Sequence, residues 1–361
     1  MEKYRVGIVG ATGMVGQRFI SLLKDHPWFE VNCVAASARS AGKTYREAVG
    51  ERWAFAWEIP EKVAGMTVVD AADIDEVSKH VDFVFCAVDM KKDEIRALEE
   101  AYAKHEIPVV SNNSACRGIE DVPMVVPEIN ADHLAVIEAQ KKRLGTKNGF
   151  IAVKPNCSIQ SYVPALTPLL DFEPEKVSVC TYQAISGAGK TFKTWPEMVD
   201  NVIPYIGGEE EKSENEPLKL WGHVEDGKIV NATLPVISAQ CLRVACSDGH
   251  MAAVSVSFKK KPTIEQIKER WANYETEAQR LELPSAPKPF LQYFEDPSRP
   301  QTRLDRDFQN GFGVSIGRLR EDKLFDYRFV CLSHNTVRGA AGGGILTAEL
   351  LCRKGYIPHR V

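Results

Sequence analysis

One cysteine, Cys157, stands where a thiol could act as a nucleophile. It lies in the stretch Lys-Pro-Asn-Cys-Ser at 154–158, after an apolar run at 150–153 that is typical of a buried strand. Apolar residues within 159–170 have the spacing of one helix face, which predicts a helix after the cysteine. Since a helix N-terminus stabilises negative charge, we expect this thiol to be biased towards the thiolate. A buried apolar cysteine is the alternative interpretation, and the rest of the chain has to decide between the two.

A second candidate is His250, one of eight histidines, which follows a tight Ser-Asp-Gly turn at 247–249 and begins a predicted strand. A dehydrogenase that works through a thioester needs a thiolate to attack an aldehyde, a base for the hydroxyl proton and an acceptor for the hydride. Histidine suits the role of base because its reference pKa lies near neutrality. Because a single histidine is more often structural than catalytic, spacing alone leaves both interpretations open.

A cation that could bind an anionic substrate is Arg117. It ends a polar stretch at 111–117 that follows a predicted strand at 108–111. Ligands bind at the carboxyl ends of strands in doubly wound sheets, and an arginine there can form two parallel hydrogen bonds to a phosphate or carboxylate. An ordinary surface arginine is the alternative.

The N-terminal segment has the order of elements that a dinucleotide-binding fold requires. A short strand at 5–9 leads into Gly-Ala-Thr-Gly-Met-Val-Gly at 10–16, and a helical pattern follows at 17–23. Glycines permit the tight turn and let backbone N–H groups approach a pyrophosphate at the helix start. The spacing is GxxGxxG rather than GxGxxG, but its place between a strand and a helix favours a nucleotide site over a plain glycine turn.

The second predicted strand, at 31–35, bears on the choice of cofactor. A fold that prefers NAD usually has an acidic residue at the end of this strand, and none is present. Ser37, Arg39, Ser40 and Lys43 follow instead, and hydroxyls with two cations suit a 2′-phosphate. The pattern therefore favours NADP over NAD, with a solvated loop as the alternative.

The order of predicted elements indicates an α/β protein with two domains. Strands and helices alternate through a Rossmann-type nucleotide-binding domain at 1–155. Longer strands of alternating polarity follow and predict an α+β catalytic domain with a mainly antiparallel sheet at 156–334. A second glycine-rich loop occurs at 184–190, and small residues at 339–344 indicate a close backbone approach, either beside a cofactor or against another helix.

Composition excludes several other classes of protein. The chain of 361 residues is 44% hydrophobic and 26% charged with a formal net charge of −4, and it has no long basic run that would indicate nucleic-acid binding. Its start lacks the pattern of a signal peptide, and no apolar run approaches membrane-spanning length. The nine scattered cysteines show no metal-ligand spacing and point to reduced thiols in the cytoplasm.

Together the motifs resemble those of the aspartate-β-semialdehyde dehydrogenase family, in the branch shared by archaea, fungi and some bacteria. The resemblance runs nearly end to end. Its most specific parts are the nucleophile motif at 155–158 and the arginine-to-histidine segment at 243–250. It implies that Cys157 is the nucleophile, that His250 is the acid/base, and that Arg243 is the clamp for the substrate α-carboxylate.

The resemblance also implies further contacts. Gln183 would orient the substrate, Glu210 would contact its amino group, and Arg117 and Lys212 would contact phosphate. The full set for the substrate is Arg117, Asn156, Gln183, Glu210, Lys212 and Arg243. The expected cofactor contacts are Gly10, Thr12, Gly13, Met14, Val15, Ser37, Arg39, Ser40, Ser186, Gly187 and Asn335, and no metal is expected. A C-terminal helix at 335–361 would complete the nucleotide domain, and the second domain would build a homodimer or homotetramer.

The implied reaction is the reversible, NADPH-dependent reduction of L-4-aspartyl phosphate to L-aspartate 4-semialdehyde with release of phosphate. It would serve the synthesis of lysine through diaminopimelate, and of threonine, methionine and isoleucine. Malonyl-CoA reductase is the nearest alternative, and the intact segment that ends at Arg117 argues against it because that reaction needs no phosphate arginine. N-acetyl-γ-glutamyl-phosphate reductase fits the cysteine and histidine motifs less well. A non-enzymatic NADP sensor would have no use for the full set of reactive residues.

Overall fold

Two β-sheets organise the protein, and the computed structural model describes them within residues 2–359. The strands of the first sheet are β1 (Tyr4–Val9), β2 (Phe29–Ala36), β3 (Val69–Asp70), β4 (Phe83–Cys86), β5 (Val109–Ser111) and β6 (Ile151–Val153). They are all parallel and lie in the order β3-β2-β1-β4-β5-β6. The helices between them are α1 (Met14–Leu23), α2 (Tyr45–Val49), α3 (Glu61–Ala64), α4 (Ile74–Ser78), α5 (Lys92–Lys104) and α6 (Ile137–Leu144). Every residue of β4 is buried, as expected for parallel strands that are covered on both faces.

The second sheet has seven strands in the order β13-β14-β15-β12-β7-β11-β8, and its centre is antiparallel. Strands β7 with β11 and β13 with β14 are the parallel pairs. The strands in this part of the chain are β7 (Pro174–Gln183), β8 (Val202–Ile203), β9 (His223–Glu225), β10 (Lys228–Val230), β11 (Val236–Val244), β12 (His250–Phe258), β13 (Leu291–Phe294), β14 (Val314–Glu321) and β15 (Tyr327–Ser333), of which β9 and β10 form a separate antiparallel pair. The helices are α7 (Tyr162–Leu166), α8 (Glu209–Leu220), α9 (Ile264–Ala272), α10 (Glu277–Arg280), α11 (Thr302–Asp305) and α12 (Gly342–Arg353). The predicted fold class is thereby confirmed.

The helix predicted after the nucleophile motif is broken into short pieces. A 3-10 turn at Ser158–Gln160 precedes α7, and a second 3-10 segment follows at Thr167–Phe172. Prolines occur at positions 164 and 168, and proline removes a backbone donor and disfavours the α conformation of the residue before it. The expectation of one continuous helix over 159–170 is therefore wrong.

The C-terminal helix α12 shares the core of the first domain. Its side chains Ile345, Leu346 and Leu350 are buried in the same cluster as Phe19 of α1. The helix is shorter than the predicted 335–361, because a wide helical turn at Val337–Ala341 precedes it and it ends at Arg353; the last two predicted positions lie outside the described residues. Within the described part of the chain, no helix has the length and apolarity needed to cross a membrane.

Candidate active site

Cys157 and His250 meet where the two domains join. Cys157 follows β6 and begins the short 3-10 turn, while His250 is the first residue of β12. The Sγ atom of Cys157 lies 3.5 Å from Nε2 of His250. The backbone N–H of Cys157 donates to Oδ1 of Asn156 at 2.8 Å, which fixes the direction of the turn that carries the thiol.

His250 is fully buried and has a defined tautomer. Its Nδ1 accepts a hydrogen bond from the backbone N–H of Ala184 at 3.1 Å, so the ring hydrogen of the neutral imidazole is on Nε2, facing Cys157. Burial and the neighbouring Arg243 lower the pKa of His250 to about 3. The resting histidine is therefore a neutral donor, because a second proton on Nδ1 would require the contact with Ala184 to break.

Arg243 lies beside this pair under a glycine. It extends from β11, is 6% exposed, and its Nη1 donates to the carbonyl of Ala184 at 2.7 Å. A Cβ atom on Gly187 would lie 2.8 Å from Nη1 of Arg243 and 3.1 Å from Nε2 of His250. The loop at 185–188 therefore lies directly over the two side chains, which leaves a narrow space lined by a buried cation.

A buried carboxylate, Glu209, connects the polar side chains near the thiol. Its Oε2 accepts from Nδ2 of Asn156 at 2.9 Å and from Nε2 of Gln183 at 3.2 Å, and its Oε1 accepts from Nζ of Lys212 at 2.8 Å. The structure therefore brings the predicted residues Asn156, Gln183 and Lys212 together around Glu209. These charged and amide donors also hold the pKa of Glu209 below its usual value against the opposing effect of burial.

Glu210 lies outside this cluster, and the expectation that it faces the substrate is wrong. Its Oε1 accepts from the backbone N–H of Cys241 on β11 at 3.2 Å. Helix α8 begins at Glu209 after Gly208, and consecutive helical residues point about 100° apart. Glu209 and Lys212 therefore share the face that points to the site, while Glu210 points to the neighbouring strand.

A second carboxylate, Glu216, was not predicted and lies further along the same face of α8. Its Oε1 accepts from Nη1 of Arg117 at 2.9 Å, and its Oε2 accepts from the backbone N–H of Asn156 at 2.5 Å. It thus joins the candidate phosphate arginine to the loop that carries the nucleophile. The seven-residue spacing from Glu209, which corresponds to one helix face, is the sequence signal that could have identified it.

Two groups near the end of β5 have buried polar atoms that no described residue satisfies. Nε of Arg117 and both amide atoms of Asn112 are buried without a hydrogen-bond partner among residues 2–359. Such atoms are costly unless a ligand or solvent satisfies them. Phosphate oxygens suit the arginine, and a polar group of a bound cofactor suits the amide.

The electrostatic surroundings of Cys157 differ from the prediction. Burial and the charge of Glu209 raise the pKa of the thiol, while the cations Lys154, Arg117 and Arg243 oppose the rise. The expected bias from a helix N-terminus is wrong, because burial and the charge of Glu209 outweigh it and the segment after Cys157 begins with a 3-10 turn rather than a regular α-helix. Nearby side chains, rather than a helix, must stabilise any thiolate.

The glycine-rich turn at 10–16 has the geometry of a close backbone approach. Gly10 has a φ of +92°, and a Cβ atom there would lie 2.3 Å from the carbonyl oxygen of Ala87. Gly16 faces the same turn, with its Cβ position 2.3 Å from the carbonyl oxygen of Gly10. The predicted contacts Thr12, Gly13, Met14 and Val15 form the end of this turn and the first turn of α1. The exposed N–H groups of a helix start fit a pyrophosphate.

The remaining predicted cofactor residues fall in two places. Ser37 and Arg39 are exposed and Ser40 is half-buried in the loop after β2. On the other side, Nδ2 of Asn335 donates to Oγ of Ser186 at 2.9 Å, and its Oδ1 accepts from the N–H of Gly249 at 2.8 Å. Asn335 therefore ties the loop over Arg243 to the turn before His250.

Two family models match the chain. The semialdehyde dehydrogenase NAD binding domain matches residues 5–137, and the semialdehyde dehydrogenase dimerisation domain matches residues 166–338. Among curated proteins, the aspartate-semialdehyde dehydrogenase of Aspergillus fumigatus is 44% identical over 98% of this chain and 99% of its own length. That of Archaeoglobus fulgidus is 43% identical over 98% of this chain and 100% of its own length.

A solved structure gives the same result. The aspartate semialdehyde dehydrogenase of Candida albicans, solved with NADP, superposes with a TM-score of 0.89 at 39% identity, covering 99% of this chain and 100% of that one. The resemblance found in the motifs is therefore confirmed in both domains.

Proposed function

The chain belongs to the aspartate-semialdehyde dehydrogenase family and is an oxidoreductase of amino-acid biosynthesis, and we propose that it reduces L-4-aspartyl phosphate to L-aspartate 4-semialdehyde with NADPH. The reaction is reversible and leads to lysine through diaminopimelate, and to threonine, methionine and isoleucine. The observation that carries the proposal is the 3.5 Å approach of Cys157 to His250 beside the buried guanidinium of Arg243. A nucleophile, a hydrogen donor and a carboxylate clamp are the groups that the reaction needs.

In the first half of the reaction, Cys157 reacts as the thiolate after its proton has been released to solvent, and its Sγ attacks the carbonyl carbon of the acyl phosphate. The bond between that carbon and the phosphate oxygen breaks, inorganic phosphate leaves, and a thioester remains on Cys157. Arg117 and Lys212 bind the phosphate, and the unpaired Nε of Arg117 supports this role. In the reverse direction the same cations hold phosphate for attack on the thioester.

In the second half, the thioester is reduced to the aldehyde. The bound nicotinamide cofactor supplies the hydride. Nε2–H of His250 donates a hydrogen bond to the former carbonyl oxygen and stabilises the negative charge that develops there. When the carbonyl forms again, the carbon–sulfur bond breaks, the aldehyde leaves and the sulfur recovers its electron pair.

The remaining side chains orient the substrate. Arg243 binds the α-carboxylate, because it is a buried cation with only a backbone carbonyl as its hydrogen-bonded partner among the described residues. Glu209 binds the amino group and takes the role that the sequence had assigned to Glu210. Gln183 donates to Glu209 and lies beside it.

NADP is the proposed cofactor, held by the turn at 10–16 and by Ser37, Arg39 and Ser40. The NADP in the related Candida albicans structure supports this choice. The test is the kinetics of Arg39→Ala with both cofactors. The substitution should raise KM for NADP more than KM for NAD, and equal effects would remove Arg39 from the 2′-phosphate site.

The protein is proposed to be a homodimer or homotetramer built on the second domain. The match to a dimerisation domain supports this assembly, as do apolar side chains at one edge of the second sheet, where Val202 is 55%, Tyr205 69% and Val236 63% exposed. Light scattering at assay concentration tests the proposal, and a monomeric mass would contradict it.

The activity test is phosphate-dependent reduction of NADP with L-aspartate 4-semialdehyde. The wild type and Cys352→Ala, which removes another half-buried thiol, should be active, and Cys157→Ala should not. Activity in Cys157→Ala would contradict the proposal. So would turnover of malonyl-CoA without a requirement for phosphate.

A further inference from the structure

Lys219 is a buried cation that makes three hydrogen bonds to one main-chain segment. It lies in the last turn of α8 and is 6% exposed. Its Nζ donates to the carbonyl oxygens of Arg117 at 2.7 Å, of Ile119 at 2.7 Å and of Val122 at 3.1 Å. A protonated lysine has three N–H donors and no acceptor, so three carbonyls match its whole hydrogen-bonding capacity. The ammonium therefore fixes the segment 117–122 to the end of α8.

Main-chain carbonyls are the direct partners of this ammonium group. Burying a cation costs free energy unless its hydrogen bonds are restored inside the protein. The three carboxylates whose charges attract Lys219 are each paired with another cation. They are Asp121 with Arg143, Glu216 with Arg117, and Glu120 with Lys228. Burial lowers the pKa of Lys219 to about 8, so the group is still charged at neutral pH and can donate to all three carbonyls.

The first residue of the fixed segment is Arg117, to which we assign the phosphate. Its Nη1 donates to Oε1 of Glu216 at 2.9 Å, and its Nη2 donates to the carbonyl oxygen of Asn112 at 3.0 Å. Its Nε is buried without a hydrogen-bond partner among residues 2–359. The two Nη atoms thus hold the guanidinium in place, and the Nε–H is left for a ligand.

Two side chains of α8 hold Arg117 from opposite ends. Glu216 and Lys219 are three residues apart, so they lie on the same face of the helix. Glu216 binds the guanidinium, whereas Lys219 binds the main-chain carbonyl of the same arginine. A long arginine side chain loses conformational entropy when a ligand orders it. Fixing both ends before phosphate arrives removes most of that cost from the binding step.

We propose that Lys219 is a positioning residue for the phosphate site, whose ammonium holds the main chain at Arg117 so that the guanidinium is already ordered when phosphate binds. The inference rests on the proposed role of Arg117. Lys219 acts through that arginine, since its own three donors are used inside the protein. Removing them should therefore weaken the binding of phosphate more than the binding of the semialdehyde or NADP.

The first test is the kinetics of Lys219→Met with varied phosphate, semialdehyde and NADP. The substitution removes the three donors and keeps the length of the side chain. KM for phosphate should rise about tenfold, while the other two KM values should change by less than about twofold. Lys219→Gln keeps a neutral donor, should raise KM for phosphate by a smaller factor, and gives the comparison if the methionine variant does not fold.

The matched control is Lys228→Met. Lys228 is an exposed lysine whose Nζ lies 2.9 Å from Oε2 of Glu120, so it contacts the same segment through a side chain instead of the main-chain carbonyls. This variant should keep the wild-type KM for phosphate. An unchanged KM for phosphate in the Lys219 variants, or an equal rise in all three KM values, would overturn the proposal.

A double-mutant cycle shows whether Lys219 acts through Arg117. In the Arg117→Met background, Lys219→Met should lower kcat/KM for phosphate by less than about twofold further, because the side chain that it positions is absent. If the two substitutions instead multiply their separate effects, Lys219 acts independently of Arg117 and the proposal is wrong.

A binding measurement separates this proposal from the proposed function. Inorganic phosphate is titrated into the free enzyme by calorimetry, which requires no turnover. The Kd for phosphate should be about tenfold higher in Lys219→Met than in the wild type and unchanged in Lys228→Met. Equal Kd values in all three proteins would overturn the proposal. A wild type that is inactive with the semialdehyde would refute the proposed function, and this titration would still decide the role of Lys219.

Discussion

The Nε2 atom of His250 lies 3.5 Å from the Sγ atom of Cys157, although 93 residues separate the two in the chain. Cys157 is placed by the end of the parallel sheet, and His250 by the first position of a strand in the second sheet. The pair therefore exists only when both domains are folded and joined. The hydrogen bond from Ala184 to Nδ1 then selects the tautomer that presents a donor to the site.

His250 should remain neutral through the physiological pH range. Its pKa is lowered from 6.5 to about 3 by burial and by Arg243. The ring therefore binds fewer protons in the folded state than in the unfolded state between those values, and its contribution to stability is present above pH 6.5 and is lost as the pH falls towards 3. NMR of the ring Cε1–H should show no titration of His250 between pH 5 and 8. A midpoint near 6.5 would contradict the buried, neutral state.

The two adjacent glutamates of α8 should respond differently to the same substitution. Glu209→Gln removes a charge that three side chains contact and that we place on the substrate amino group, so kcat/KM for the semialdehyde should fall by about tenfold or more. Glu210→Gln keeps an oxygen for the N–H of Cys241 and should change kcat/KM by less than about threefold. Steady-state kinetics of the two variants tests this. A larger loss of kcat/KM in Glu210→Gln than in Glu209→Gln would assign the amino-group contact to Glu210 instead.

Glu216 should couple the phosphate site to the nucleophile loop. Glu216→Gln leaves Arg117 without its carboxylate partner and weakens the bond to the N–H of Asn156. We expect a loss of about 2 kcal/mol in the free energy of unfolding and a higher KM for phosphate. Glu214→Gln, on another face of the same helix, is the matched control. Wild-type stability and wild-type KM for phosphate in Glu216→Gln would show that this connection is unimportant.

A side chain at position 187 should disturb the two active-site residues beneath it. A Cβ atom would lie 2.8 Å from Nη1 of Arg243 and 3.1 Å from Nε2 of His250, so Gly187→Ala must displace one or both. Because misplaced reacting groups lower the rate, kcat/KM for the semialdehyde should fall by about tenfold, and the thermal midpoint should change little because the loop is at the surface of the site. Gly65→Ala, where the added atom would meet nothing within 4 Å, is the control. Activity near wild type in Gly187→Ala would contradict the geometry.

Local patterns predicted the parts of the site that depend on neighbouring residues. The turn that contains Gly10, the strand before Cys157 and the strand that begins at His250 all follow from short-range periodicity and turn chemistry. Short-range patterns could not decide between Glu209 and Glu210. A helix that starts one residue earlier or later turns each side chain by about 100°, and the sequence does not fix the start of α8 that closely. The pairing of Glu216 with Arg117 joins residues 99 positions apart and becomes visible only in the fold.

The neighbours of the small C-terminal residues and of the Cys157 thiol depend on tertiary packing, which sequence periodicity does not predict. Gly339 lies in a wide helical turn, and a Cβ atom there would lie 2.9 Å from Cβ of Cys157. The small residues near the C-terminus were interpreted as a close approach to a cofactor or a helix, and the structure adds the nucleophile loop as a third neighbour. The thiolate bias was assigned to a helix terminus, whereas the charges available to Cys157 are side chains, Lys154 among them.

The central claim is that Cys157 carries the substrate as a thioester, and the most direct measurement is the mass of the trapped enzyme. Incubation with L-4-aspartyl phosphate in the absence of NADPH stops the reaction after phosphate has left. Mass spectrometry of the quenched protein should then show one added aspartyl group on the peptide that contains Cys157, and none in Cys157→Ala. An aspartyl group on another residue, or turnover on addition of NADPH without any adduct before it, would contradict the account.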